Sequence, residues 1–383
     1  NIRKQALAAD MEAFFIVPRT LSSALPQKRR VFLVRYGHPH VQFRASGRHV
    51  CLGSDPGRLG RGCPVNRLPF FLPMRNCPNR CIYCDQMTIT GHHDMPSPDD
   101  VRSMASRASG PVETCFFGGS FTCLPENTRR EYLSAASSAP PGSSIRISTH
   151  PDCINPGALS ILGDYPVTIV ELGISSLDDR VLEACNRGYT GKTALEKISE
   201  LLDDGRFIPG VQMMTGLPGQ TPESSMEDLR KIAALKGNRR MQLRIYPCLV
   251  LANTPLEKLY SSGKYKPYSL EESARWAGEM ILFARDNDFE LLRVGLQETE
   301  SLGQGVVAGP HHPALGEYAR SCALTMDIFA KAPRGPWALS SRDMSLIYGH
   351  GGWGLTELAR LSGLEASEAE NRITWSDRHP PCI

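Results

Sequence analysis

The chain of 383 residues has no apolar run near the roughly 18 residues that a membrane span requires. The nearest candidate for a leader, "AFFIV" at 13–17, is short and follows Asp10 and Glu12, unlike a secretory signal. The expected location is therefore cytoplasmic, with no membrane partner. Thiols stay reduced in that compartment, so twelve cysteines do not announce a disulfide scaffold. No internal repeat or low-complexity tract stands out. A strong charge of either sign is also missing, the net being +3. That balance hides an asymmetry: residues 1–66 carry +8 and the remainder −5. The basic segment is erratic in pattern and begins without Met, which reads as a marginally ordered extension rather than a nucleic-acid arm.

Apolar residues at 41% and charged residues at 22% suit a globular protein with a large core. From residue 68 onward, short β-branched or aromatic runs alternate with helical segments, the pattern of βα units and a parallel sheet. Strands are predicted at 69–73, 113–119, 144–150, 167–173, 208–216 and 241–247, with a seventh candidate in "FELLRVGL". Helices are predicted in "PENTRREYLSAASSA", "SLDDRVLEAC", "GKTALEKISELLDDG" and "ESSMEDLRKIAALKG", the last two ending on glycine as helix C-termini often do. A long amphipathic helix is predicted over 269–288. The expected fold is α/β: a partial (βα)6 TIM-like barrel over residues 67–325, followed by a small, mostly helical C-terminal cap over 326–383.

The stretch "MRNCPNRCIYCDQ" places Cys77, Cys81 and Cys84 in a C-x3-C-x2-C array, too close for accident. Four readings apply. A tetrahedral zinc site needs a fourth ligand, with His92 and His93 in reach of the array. A thioredoxin-type pair would use Cys81 and Cys84 and leave Cys77 unexplained. A conventional ferredoxin cluster needs a fourth Cys, and none follows nearby. A 4Fe–4S cube held at three corners leaves one iron open for a ligand. That arrangement fits the missing fourth Cys and the position just after the first strand, at the C-terminal mouth where barrels build active sites. "FFGGSFT" at 116–122 ends the second strand with glycines that let the backbone approach a ligand. "QMMTGLPGQT" at 212–221 is a second Gly/Pro-rich strand end. In "AGPHHPALGE", His311 and His312, with Glu317, are candidates for a catalytic proton donor near neutral pH. The other cysteines read as small buried hydrophobes or incidental thiols, with Cys123 the one to test for proximity to the site.

The array, with Tyr83 before its last Cys, resembles the signature of radical S-adenosylmethionine (SAM) enzymes. That resemblance implies a 4Fe–4S cluster on Cys77, Cys81 and Cys84 whose open iron chelates SAM. It further implies reductive cleavage to a 5′-deoxyadenosyl radical that abstracts hydrogen from a substrate, and an electron donor such as flavodoxin or ferredoxin. Gly118, Gly119 and Ser120 inherit the role of a Gly-Gly-Glu-like motif that contacts the SAM amine. "STHPD", "VELGISSLDDRVLEACNRGYT", "GVQMMTGLPGQT" and "RIYPCLVLANTPLEKLYSSGKY" narrow the resemblance to the radical-SAM domain of the Elongator catalytic subunit and its short bacterial relatives. Oxygen-independent coproporphyrinogen oxidase is a more distant likeness. The matching SAM-binding positions are Ser148, Ser175, Arg187, for the carboxylate, and Gln212.

The chain departs from the subgroup's usual text at Ser175 (commonly Gln), His150 (commonly Arg) and Tyr189 (commonly His). The resemblance makes tRNA one candidate substrate. No acetyltransferase-type Gly-rich loop follows the barrel, and the −5 balance of residues 67–383 argues mildly against a phosphate-binding surface. A small-molecule or protein substrate stays open. The alternatives to an enzyme are a zinc-binding nucleic-acid module and an iron–sulfur electron carrier without SAM chemistry.

Overall fold

A computed structural model describes residues 66–74 and 76–377. The extension expected over residues 1–66 lies outside the described residues, except for Asn66. Seven parallel strands form one sheet in the order β1 (Asn66–Phe71), β2 (Val112–Phe117), β3 (Ser144–Thr149), β4 (Val167–Ser175), β5 (Ile208–Thr215), β6 (Gln242–Pro247) and β8 (Glu290–Val294). All six expected strands appear, and the seventh candidate joins β6 at the edge. Between β6 and β8 lies β7 (Val250–Leu251), which pairs antiparallel with β9 (Val306–Ala308) beside the sheet.

The middle strands present an apolar face to the helices. Ile145, Ile147, Val170, Leu172, Val211, Leu243 and Ile245 point outward into one apolar core, shared with Leu133, Ile198, Leu229 and Met280 of the surrounding helices. Among the intervening positions, Glu113, Arg146, Glu171, Gln242 and Arg244 are polar and meet on the concave side. Arg146 on β3 donates from Nη1 to Gln242 Oε1 on β6 at 2.9 Å, a bond that crosses two intervening strands and is possible only because the sheet curls. The seven-stranded sheet is a half-barrel with a polar lumen.

Local chemistry ends the helices where the sequence indicates. Thr190 caps Gly191–Asp204, which stops at Gly205 in the left-handed region (φ 71°). Thr221 caps Pro222–Lys236, and Ser269 forms a capping box with Glu272 at the start of Leu270–Asp286. Each such cap satisfies backbone N–H groups that the first helical turn leaves unpaired.

Beyond the barrel, Leu315–Lys331 packs along Leu270–Asp286. The C-terminal region has its own core around Leu324, Trp337, Leu339, Ile347 and Leu358. It is helical in the main, but β10 (Trp337–Ser340) and β11 (Ile373–Ser376) add a two-stranded parallel sheet that the sequence reading did not anticipate. One expectation about the cysteines is corrected. Cys123 and Cys153 are not scattered thiols but form a disulfide, Cα–Cα 5.2 Å. The short turns after β2 and β3 bring them together.

Candidate active site

The loop after β1 carries the three thiols to the C-terminal mouth and is fastened there by backbone. Ile82 N donates to Cys185 O at 3.2 Å, Leu256 N to Ile82 O at 3.0 Å and Cys84 N to Cys81 O at 3.1 Å. Asp85 then caps the helix Gln86–Thr90, accepting from Met87 N and Thr88 N. Cys77, Cys81 and Cys84 are half-buried and carry free thiols. Each meets a polar group from a different element. Cys77 Sγ lies 3.3 Å from Ser120 Oγ, Gln86 Nε2 donates to Cys84 Sγ at 3.6 Å, and Arg187 Nη1 donates to Cys81 Sγ at 2.9 Å. Burial pushes the Cys84 thiol up to about 12, with Cys81 adding to the effect, and burial also raises Cys77. Thiols this reluctant to ionise alone become thiolates when a metal replaces their protons. Among the described residues, no three of His, Cys, Asp or Glu are grouped as one metal ion requires. An iron–sulfur cube, which presents a separate corner to each ligand, fits that donor set better than one zinc ion.

Around this loop stand the strand ends. Gly118 has φ +85°, with Leu72 N and the Gln86 side chain close to where a Cβ would lie. Its conformation lets Gly119 and Ser120 turn over the mouth. Ser148 Oγ donates to Glu171 Oε1 at 3.1 Å on the lumen side. Gln212, on β5 beside Arg244, is half-buried. Ser175 is held in the left-handed region (φ 67°) at an irregularity in β4–β5 pairing, a costly backbone for a residue with a Cβ. Its hydroxyl lies 3.0 Å from Tyr83 OH, which ties β4 to the thiol loop. Burial raises the Tyr83 phenol well above its ordinary range. His150 and Tyr189, two of the positions that depart from the subgroup, stack edge to face at 4.9 Å. Tyr189 OH in turn receives Arg187 Nε at 3.1 Å. Burial, then the Arg187 charge, pushes His150 down to about 4, so its ring is neutral near pH 7.

The hydrogen bonds of His311 and His312 go to groups other than the thiols. His311 Nε2 lies 2.9 Å from Glu298 Oε2, whereas His312 Nδ1 accepts from Ala314 N at 3.0 Å and its ring meets Tyr318 edge to face. Both line a small cavity with Pro247, at the end of β6, and Leu296, just beyond β8. Glu317 is engaged elsewhere, with its Oε2 2.5 Å from His350 Nε2.

The sequence reading passed over the groups that fill the lumen. Arg146 is 1% exposed and reaches Glu113 through Nη2 at 3.2 Å as well as Gln242. Burial alone would raise the Glu113 carboxyl, but Arg146 and Arg67 outweigh it and hold that group below its usual range. One layer nearer the mouth, Arg244 Nε pairs with Glu171 Oε2 at 2.7 Å, Nη1 donates to Tyr246 OH at 2.9 Å, and the guanidinium lies over the Phe117 ring. The signal was present as alternation: "SIRIST" and "QLRIYP" set a polar side chain at every second place between apolar ones.

Residues 71–232 match the model of the radical SAM superfamily, and residues 241–322 match the radical SAM C-terminal domain. The two matches together run through more than half of the chain. A tRNA uridine(34) acetyltransferase of Methanocaldococcus jannaschii is 29% identical over 171 residues, covering 45% of this chain and 31% of that protein. Elongator complex protein 3 of Mus musculus is 30% identical over 178 residues, 41% of this chain and 32% of its own length. The chain thus spans about a third of the length of these curated relatives. The solved structure of Methanocaldococcus infernus Elp3 lacking its N-terminus superposes with a TM-score of 0.52 at 20% identity, over 69% of this chain and 63% of that one. It supports the fold. By these matches the chain belongs to the radical SAM superfamily of enzymes.

Proposed function

We propose that this enzyme binds a 4Fe–4S cluster through Cys77, Cys81 and Cys84, cleaves SAM reductively and uses the product radical to abstract hydrogen from a substrate. The observation that carries the reading is the thiol loop itself. Its three free cysteines lie at the mouth of a parallel half-barrel and meet polar groups from three separate elements. When bound, cluster and SAM supply one-electron cleavage of a sulfonium C–S bond, giving methionine and a 5′-deoxyadenosyl radical. The chain's own residues bind, orient and shield. Gly118, Gly119 and Ser120 offer the β2 strand end to the SAM amine. Ser148, Ser175 and Gln212 would help hold the SAM ribose and its polar groups, and Arg187, beside Cys81, would take the SAM carboxylate. The guanidinium's charge, and the one Nη1 hydrogen not engaged within the protein, suit a carboxylate. Tyr83, joined to Ser175, fixes the loop against β4, and His311 or His312 would handle a proton on the substrate side.

The electron comes from a donor such as flavodoxin or ferredoxin in a cytoplasmic setting. For the substrate, the relative named a tRNA uridine(34) acetyltransferase makes a tRNA nucleoside the first class to try. Anaerobic reconstitution tests the reading. About four irons and four sulfides per chain, lost on Cys81→Ala, are expected; a colourless protein holding one zinc per chain would contradict it. Stimulation of SAM turnover by tRNA, compared with a DNA of equal charge, tests the substrate class separately.

A further inference from the structure

Arg187 is a cation sealed inside the site, at 7% exposure. Its side chain is fastened on three sides. Nη1 donates to Cys81 Sγ at 2.9 Å, Nη2 donates to the Gly173 carbonyl, and both Nε and Nη2 reach Tyr189 OH, at 3.1 and 2.9 Å. Tyr189 is itself anchored, its hydroxyl donating to Ile174 O at 2.5 Å. The backbone is pinned as well, since Arg187 O accepts from Asn79 Nδ2 of the thiol loop at 3.3 Å and lies 3.1 Å from His150 Nε2.

A buried guanidinium needs an anion, because desolvation of an unpaired charge costs several kcal/mol. Among the described residues, none of its hydrogen bonds goes to a carboxylate. Asp152 feels the charge, but its carboxylate is a third exposed and lies against His150 Nδ1 instead. Its side-chain partners are a carbonyl, a phenol and a thiol, and of these the sulfur of Cys81 is the one that a bound cluster would make anionic.

We propose that Arg187 is a positioning residue for the cluster, donating to the Cys81 ligand sulfur and supplying its counter-charge, and so making the cluster easier to reduce before SAM arrives. This rests on the radical SAM reading above. The direction follows from charge: one-electron reduction makes the cluster more negative, and a fixed cation with an N–H···S bond stabilises that state more than the oxidised one. The role is separate from any contact with the SAM carboxylate, and the two are experimentally separable because this one exists without SAM.

The test is a redox titration of the reconstituted full chain in the absence of SAM, followed by the electron paramagnetic resonance signal of the reduced cluster. In Arg187→Gln the ratio of reduced to oxidised cluster at fixed potential should fall at least tenfold, a midpoint about 59 mV more negative. Arg187→Lys, which keeps the charge, should recover part of that loss. Tyr189→Phe, which removes one fastening and keeps the guanidinium, should shift the midpoint less and in the same direction. A fully loaded Arg187→Gln protein titrating at the wild-type midpoint would overturn the proposal, even if its SAM affinity fell. Should Arg187→Gln lose its fold by circular dichroism, Tyr189→Phe decides, and an unshifted midpoint there overturns it. Wild-type protein that takes up no iron–sulfur cluster would instead sink the underlying reading, a failure told apart by iron content alone.

Discussion

His150 shows how one buried side chain makes the site's stability depend on pH. Its ring is 5% exposed, accepts from Asp152 N at Nδ1 and faces the Arg187 carbonyl at Nε2. Its folded pKa is about 4 against an ordinary 6.5. The unfolded chain therefore binds this proton first as pH falls. The stabilisation is complete above about pH 6.5, declines between 6.5 and 4, and is gone below 4; its full size is on the order of 3 kcal/mol. Denaturant unfolding as a function of pH should show a slope over this window that is shallower by about one proton in His150→Asn. An identical slope would mean that the histidine is not held neutral. The sequence revealed His150 only as a departure from the subgroup's text. Its contact with Tyr189, which departs as well, depends on the turn after β3 meeting the turn after the helix Asp179–Ala184, and no local pattern encodes that.

At the scale of strands, the pairing of apolar outer faces with a charged lumen explains both what was legible and what was not. Strand positions were readable because β-branched and aromatic residues recur between Gly/Pro turns, and helix ends because caps and glycines mark them. The lumen was missed because Glu113, Arg146, Glu171 and Arg244 lie on different strands, and only curling brings them together. The disulfide escaped for the same reason: thirty residues separate Cys123 from Cys153. Buried ion pairs of this kind are costly to break singly and cheap to replace whole. Arg146→Met should destabilise the protein by about 3 kcal/mol, at the low end for a buried pair, because Arg67 still reaches Glu113 at 2.8 Å. The double variant Glu113→Leu/Arg146→Met should recover most of the loss. Chemical denaturation of the three proteins measures both, and a double variant no more stable than Arg146→Met would contradict the coupling of the two charges.

Across the whole molecule, the thiol loop is joined to the far edge of the half-barrel as well as to its neighbours. Thr299 Oγ1, beyond β8, donates to Ile89 O of the helix that follows the thiols, at 3.1 Å. Ile89 also packs with Leu249, Leu251 and Leu302. The chain thus bridges the gap between β1 and β8 and closes that side of the mouth beside the thiol loop. The three cysteines were legible because their spacing is local; the closure depends on residues more than two hundred positions apart. Radical chemistry needs such shielding, since water and oxygen intercept reactive intermediates. The most direct test is product formation by the reconstituted full chain, given SAM and dithionite without oxygen. Chromatography should detect 5′-deoxyadenosine and methionine in equal amounts from wild type and neither above background from Cys81→Ala. A wild-type protein that carries its full iron and sulfide, reduces with dithionite and leaves SAM intact would contradict the account.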